Sequence, residues 1–314
     1  MKRRNVLMGL TLLVCVQIMV SACVFTNRGS WQEITQPPAP TSTVRQDWEI
    51  LDESSSSETI KVLILLGQSN MVGFAHADEF PAEMAAPSEN RLLLTDDGWV
   101  PLEPGARNGP EISLAYELSD VWPDETIGII KVAVGGTGIR AFIPDWSEDL
   151  ADLTGDGHKG SLYAQAKARI DQAMAISDVE FIGVVWKQGG SDSWSAETAE
   201  GYLDYLTSII EELRQDTNSP ALPLFISTYF DAEDLLLEFD IFPGVLLDRE
   251  ALFDVLMAHN LAQDEIPYTL TVATGMLPLT ADGIHFNTEG QILQGQIIAD
   301  AIWAYYELEM WRTP

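Results

Sequence analysis

From Thr59 onward the chain alternates short apolar runs with longer stretches in which apolar residues recur every three or four positions. The runs Ile60 to Leu66, Ile127 to Val134, Phe181 to Trp186, Leu224 to Tyr229 and Leu270 to Ala273 have the length and continuity of strands buried on both faces. Helical periods cover Glu111 to Ser119, Leu162 to Ile176, Ala196 to Leu213, Arg249 to Ala262 and Glu289 to Tyr306. Strands separated by helices predict a parallel sheet. Right-handed crossovers then make a doubly wound α/β/α three-layer sandwich of about five strands the simplest topology. Between Phe74 and Gly109 the rhythm breaks. That stretch is rich in Pro and Gly and holds Leu92-Leu93-Leu94 and Trp99, a pattern that fits a small hairpin inside an insertion.

The first 58 residues follow different rules. Val6 to Ala22 is a long apolar run led by Lys2, Arg3 and Arg4, the basic and apolar regions of a secretory signal. It ends in Val20-Ser21-Ala22-Cys23, which resembles the lipobox of bacterial lipoproteins. That resemblance implies cleavage before Cys23 and a membrane-anchoring lipid on its thiol; a plain cleaved signal and an uncleaved anchor are the alternatives. Residues 23–58 carry Gln36-Pro37-Pro38-Ala39-Pro40 and Ser54-Ser55-Ser56-Ser57 without apolar periodicity, as a flexible tether does. The expected division is signal 1–22, tether 23–58 and catalytic domain 59–314, exported to the bacterial cell envelope.

Composition narrows the partners. Of 314 residues, 46% are hydrophobic, enough for a full core without further support. There are two cysteines, and Cys15 lies in the segment expected to be removed, so an internal disulfide is not expected. The formal charge of -31 repels phosphate backbones and excludes nucleic acid as an expected partner. His76, His158 and His259 lack metal-ligand spacing. Asp152-Leu153-Thr154-Gly155-Asp156-Gly157 opens like a calcium loop, but Tyr163 stands where the twelfth-position Glu belongs, and a turn is expected. Gly135-Gly136-Thr137-Gly138 has neither the Lys of a phosphate loop nor a dinucleotide fingerprint. No metal and no cofactor are expected. Trp99, Trp146 and Trp194 fall in loops, where they offer faces for sugar rings or for ordinary packing.

Two short segments carry the chemistry. Ser69 follows the first strand at once, at the carboxyl edge where open parallel sheets bind ligands. Met71 two residues after it rules out the Gly-x-Ser-x-Gly elbow. Near the other end, Ala281-Asp282-Gly283-Ile284-His285-Phe286-Asn287 lies between the last strand and the last helix. An Asp three residues before a His on a turn can hold Nδ1 and leave Nε2 facing outward, the orientation a serine base needs.

Gly67-Gln68-Ser69-Asn70-Met71 together with Asp282-x-x-His285 resembles the SGNH, or GDSL-type, hydrolase superfamily, in its sialate O-acetylesterase and acetylxylan esterase branch, carbohydrate esterase family six. Further blocks match in order: Gly109-Pro110-Glu111-Ile112-Ser113, Ala133 to Gly138, Leu162-Tyr163, and Trp186-Lys187-Gln188-Gly189-Gly190-Ser191-Asp192. The resemblance implies a flavodoxin-like SGNH fold and cofactor-free hydrolysis of an acetylated carbohydrate. It implies Ser69 as nucleophile, His285 as base and Asp282 as its support. It also implies an oxyanion hole of the Ser69 and Gly136 amides with the Gln188 side chain. Gln68, Asn70, Glu111 and Asp192 lie in the matching blocks and are candidate substrate contacts. Two positions depart from the pattern, Gly190 where Glu is usual and Lys187 where His is commoner. Another short-chain esterase, a lipase or thioesterase of the superfamily, and a glycan-binding lipoprotein without turnover are the alternatives. Nothing in the sequence fixes the oligomeric state.

Overall fold

The computed structural model describes residues 59–229, 248–275 and 277–308. The signal, Cys23 and the tether lie outside the described residues. Among the described residues the sheet has seven strands: β1 Ile60–Gly67, β2 Arg91–Thr95, β3 Gly98–Pro101, β4 Thr126–Ala133, β5 Val179–Lys187, β6 Leu224–Thr228 and β7 Thr269–Ala273. They lie in the order β3-β2-β4-β1-β5-β6-β7, and every pairing is parallel except β2 with β3. Five of these strands are those expected from the apolar runs. The expected hairpin is present, but β2 pairs in parallel with β4 instead of standing apart, so the sheet is two strands wider than anticipated.

The α-helices among the described residues are α1 Ser69–Val72, α2 Ala82–Ala85, α3 Glu111–Val121, α4 Glu148–Ala151, α5 Leu162–Ile176, α6 Ala196–Ala199, α7 Tyr202–Asp216, α8 Arg249–Glu265 and α9 Thr288–Glu307. They cover both faces. Along β1, Val62, Ile64 and Leu66 point into the core beneath α5, α7 and α8. Leu63 and Leu65 point into the core beneath α3 and α9. The period of two that alternates side chains across a strand thus feeds two separate cores, which is why β1 reads as a continuous apolar run. The period expected as one helix over 196–213 is two helices. A capping box between Ser195 and Thr198 starts α6, and Gly201 in the left-handed region (φ 74°) turns the chain before α7.

β1 lies between β4 and β5, so the chain winds to one side of β1 and then to the other. The carboxyl end of β1 is therefore a switch point, where the following loops diverge and leave a crevice. Ser69 emerges there, flanked by the loops after β4 and β5.

Candidate active site

β1 ends at Gly67, and Ser69 opens α1 two residues later, after Gln68. Among the first amides of this short helix, Met71 and Val72 donate to the Gln68 carbonyl. The Ser69 amide has no such acceptor among the described residues and is available to an incoming oxyanion. The loop after β4 runs beside this turn, because Val134 N–H donates to Gly67 O at 3.1 Å.

His285 sits on a self-closed turn. Asp282 Oδ2 meets His285 Nδ1 at 2.6 Å. Asp282 Oδ1 accepts the backbone N–H of Ile284 at 2.8 Å and of His285 at 3.0 Å, and the Thr280 hydroxyl at 2.7 Å. Partial burial pushes the Asp282 carboxyl up. The opposing pull of the His285 backbone and ring, the Thr280 hydroxyl and the Ile284 N–H outweighs it and holds the carboxyl below the ordinary range. Phe74 stacks on the imidazole with ring centroids 4.1 Å apart. Asn287, two residues on, caps α9 by accepting the Gly290 N–H at 2.9 Å.

Asn70 joins these two elements. Its Oδ1 accepts the Phe286 N–H at 2.9 Å, and its Nδ2 donates to Ile284 O and to the Tyr229 hydroxyl, each at 3.3 Å. The residue after Ser69 thus grips the chain on both sides of His285. The side-chain amide of Asn70, a candidate substrate contact, thus has protein partners on both its oxygen and its nitrogen. Neither the Ser69 hydroxyl nor His285 Nε2 has a hydrogen-bond partner among the described residues. Such bonds commonly tighten only when substrate is bound.

Four further candidates also face inward. Gln188 is buried; its Nε2 donates to Thr137 O at 2.8 Å and to Asp192 Oδ2 at 2.6 Å, and its Oε1 accepts the Tyr202 hydroxyl at 2.8 Å. With both N–H groups occupied, the expected role as an oxyanion donor is not met. Asp192 is fully buried and receives the Ile139 N–H besides Gln188. Burial pushes its carboxyl up to about 7 against the pull of these donors and of Arg140. Gln68 Oε1 accepts the N–H groups of Gly189 and Ser191. Glu111 accepts the Gly109 N–H and pairs with Lys131 at 2.7 Å, and Lys131 also donates to Val72 O at the end of α1. The contacts of Asp192, Gln68 and Glu111 within the protein tie together the loops around the crevice.

Gln188→Ala is therefore expected to cost about 2 to 4 kcal/mol of stability, because it removes one hydrogen-bond partner each from Thr137 O, Asp192 and Tyr202 in a buried network. Urea unfolding measures this. A loss of kcat above about a hundredfold at unchanged stability would return the amide to the oxyanion hole.

The two departures also have a place. At Gly190 an added Cβ would stand 3.0 Å from Gln68 Nε2, so glycine lets the Gln68 side chain lie against this loop. Lys187 is buried, and its Nζ has no hydrogen-bond partner among the described residues. It lies over the Tyr229 ring at 4.0 Å and the Phe286 ring at 5.2 Å, and burial pushes its pKa down from 10.5 to about 7. Between those two values the unfolded chain binds a proton that the folded one does not, so stability rises with pH through this window. Below about 7 the penalty is fully present. Lys187→Met removes it, and part of the gain is offset by the lost cation–π contacts. A net stabilisation of roughly 1 to 3 kcal/mol at pH 6, shrinking toward zero near pH 10.5, is expected from urea melts across that range. A constant difference would show that the amine titrates normally.

Among the described residues no cluster of His, Cys, Asp or Glu could hold a metal ion, and no helix is long and apolar enough to cross a membrane. Of the loop tryptophans, Trp99 and Trp146 pack on the core, whereas Trp194 is 53% exposed on the loop after β5.

Comparison with known proteins agrees with this architecture. A probable carbohydrate esterase of Arabidopsis thaliana is 26% identical over 268 residues, which cover 77% of this chain and 89% of that protein. The X-ray structure of an Arabidopsis thaliana protein superposes with a TM-score of 0.61 at 22% identity, over 78% of this chain and 98% of that one. The crystal structure of a carbohydrate acetylesterase from Xanthomonas citri gives a TM-score of 0.53 at 19% identity, over 78% of this chain and 56% of that one. Residues 59–304 match the family described as carbohydrate esterase, sialic acid-specific acetylesterase. That match spans most of the chain, and the protein belongs to this family of carboxylic ester hydrolases.

Proposed function

We propose that this protein removes O-acetyl groups from carbohydrate through an acetyl-enzyme on Ser69. The observation that carries the reading is the Asp282–His285 pair, bonded at 2.6 Å and held by Asn70 beside Ser69. His285 Nε2 takes the Ser69 hydroxyl proton as Oγ attacks the acetyl carbonyl carbon. The Ser69 and Gly136 N–H groups receive the negative charge on the former carbonyl oxygen. Collapse breaks the bond to the sugar oxygen, which leaves with the proton from His285. Water, deprotonated by the same imidazole, then attacks the acetyl carbon and releases acetate and Ser69.

Family membership supports acetyl-ester substrates on carbohydrate. Exposed Trp194 offers a stacking face near the loop that carries Gln188. The Val20-Ser21-Ala22-Cys23 segment supports export and a lipid anchor on Cys23, which would place the activity on glycans at the cell envelope, with residues 23–58 as spacer. The experiment is acetate release by the full chain from acetylated xylan, O-acetylated sialic acid and acetylated peptidoglycan fragments, with p-nitrophenyl acetate as reference. Hydrolysis of the reference ester alone, with none of the glycans turned over, would reject carbohydrate as the substrate. Metabolic labelling with a palmitate analogue, lost on Cys23→Ser, tests the anchor.

A further inference from the structure

The loop Val134–Gly138 presents an unusual distribution of partners. The carbonyls of its two glycines at 135 and 136 are occupied: Lys159 Nζ donates to Gly135 O and Gly136 O, each at 3.0 Å, and to the Thr137 hydroxyl at 2.9 Å. The N–H groups of Gly135 and Gly136 have no acceptor among the described residues. An added Cβ at either glycine would meet nothing within 4 Å, so the space around them is open. Gly136 itself sits in the left-handed region at φ 59°, a conformation that glycine adopts without cost.

A trans peptide is planar, with its C=O and N–H pointing in opposite directions. Drawing Gly135 O toward the Lys159 ammonium therefore turns the Gly136 N–H away from it. Drawing Gly136 O does the same for the Thr137 N–H. A single ammonium thus sets two consecutive amides in one direction. The ammonium is itself fixed, because Asp156 Oδ1 pairs with it at 2.5 Å, while Asp156 Oδ2 receives the Gly138 N–H at 2.7 Å and the Thr154 hydroxyl at 2.5 Å. Asp156 is fully buried and the Lys159 side chain is mostly so. The stretch that opens like a calcium loop is, in three dimensions, a brace on the loop after β4.

We propose that Lys159 is the positioning residue of the oxyanion hole, aiming the Gly136 N–H and polarising it through the peptide group. Resting on the function proposed above, this adds a residue that no catalytic motif contains. A donor whose carbonyl is bound to a cation is a stronger donor, because hydrogen bonds in a chain polarise one another. Lys159 touches neither substrate nor Ser69. It acts through the Gly135–Gly136 peptide.

The test uses the full chain and acetyl-ester hydrolysis. Lys159→Met keeps most of the aliphatic stem and removes the ammonium. It is expected to lower kcat by about 10- to 100-fold, short of the loss of a whole oxyanion donor, with KM within about threefold. Inhibition by an alkyl boronic acid, which forms a tetrahedral adduct on the serine, is expected to weaken by the same factor. Lys159→Cys alkylated with 2-bromoethylamine restores an ammonium at nearly the same reach and is expected to recover kcat to within about threefold of alkylated wild type. A kcat unchanged in Lys159→Met, boronate affinity unchanged despite lost turnover, or no recovery on alkylation of the folded Cys variant each overturns the inference. All three leave the serine mechanism standing so long as Ser69→Ala is inactive. Wild-type protein without Ser69-dependent hydrolysis overturns the functional reading and this inference together, and that result is visible before any Lys159 variant is made.

Discussion

Ser69→Ala is expected to lower kcat on p-nitrophenyl acetate by at least about 10⁴-fold without loss of folded protein. The hydroxyl has no hydrogen-bond partner among the described residues, so its removal leaves no protein group unsatisfied. The melting temperature should stay within a few degrees of wild type. His285→Ala is expected to cost a similar factor, and the double variant no more than the worse single one, because nucleophile and base act as one unit. Additive losses would mean that the two residues serve separate steps. A Ser69→Ala protein retaining more than about a tenth of wild-type kcat would remove Ser69 from the nucleophile position altogether.

The second large effect is Asp282→Asn, expected to reduce kcat by about 10³- to 10⁴-fold with KM little changed. The two carboxylate oxygens have different duties. Oδ1 gathers the Ile284 and His285 N–H groups and the Thr280 hydroxyl, and the carbonyl oxygen of asparagine can still do so. Oδ2 holds His285 Nδ1, and in asparagine an N–H donor stands there instead. A donor facing Nδ1 forces that nitrogen to be the acceptor and puts the ring proton on Nε2, where it blocks uptake of the serine proton. The turn survives while the base is in the wrong tautomer. Asp282→Ala removes both duties, so it is expected to lose stability as well as turnover. Equal kcat for Asp282→Asn and wild type would show that the imidazole needs no carboxylate here.

The two ends of the site were legible in the sequence for a local reason. Gln68 to Met71 follows its strand directly, and Asp282 and His285 are bonded three residues apart, so spacing alone conveys their relation. The polar residues between them were harder to assign. Gln188 meets Thr137 across 51 residues and Gln68 across 120, and a motif reveals side-chain chemistry but not which way the side chain turns. Gln68 and Asn70 flank Ser69 in sequence, and only the folded chain reveals that their side chains bond to other loops. Lys159 gave no signal, because two of its partners are backbone carbonyls more than twenty residues away and the sequence around it pointed to a failed calcium loop. Within the fold, β2 was recognisable as apolar, but its pairing with β4 depends on the chain returning across the sheet edge, which periodicity does not encode.

The Asn70 side chain, which holds both the carbonyl before His285 and the amide after it, has a consequence for how the protein fails. Loop openings usually occur independently of the scaffold and at lower free energy. Here the loop bearing the base cannot swing outward without breaking its bonds to the helix bearing the serine. Warming should then leave turnover intact until the whole domain melts, and amide deuteration at Phe286 should track global unfolding. With Asn70→Ala the same amide would exchange early and activity would fade below the melting temperature, as two halves of one machine drift apart in a protein that is otherwise still folded.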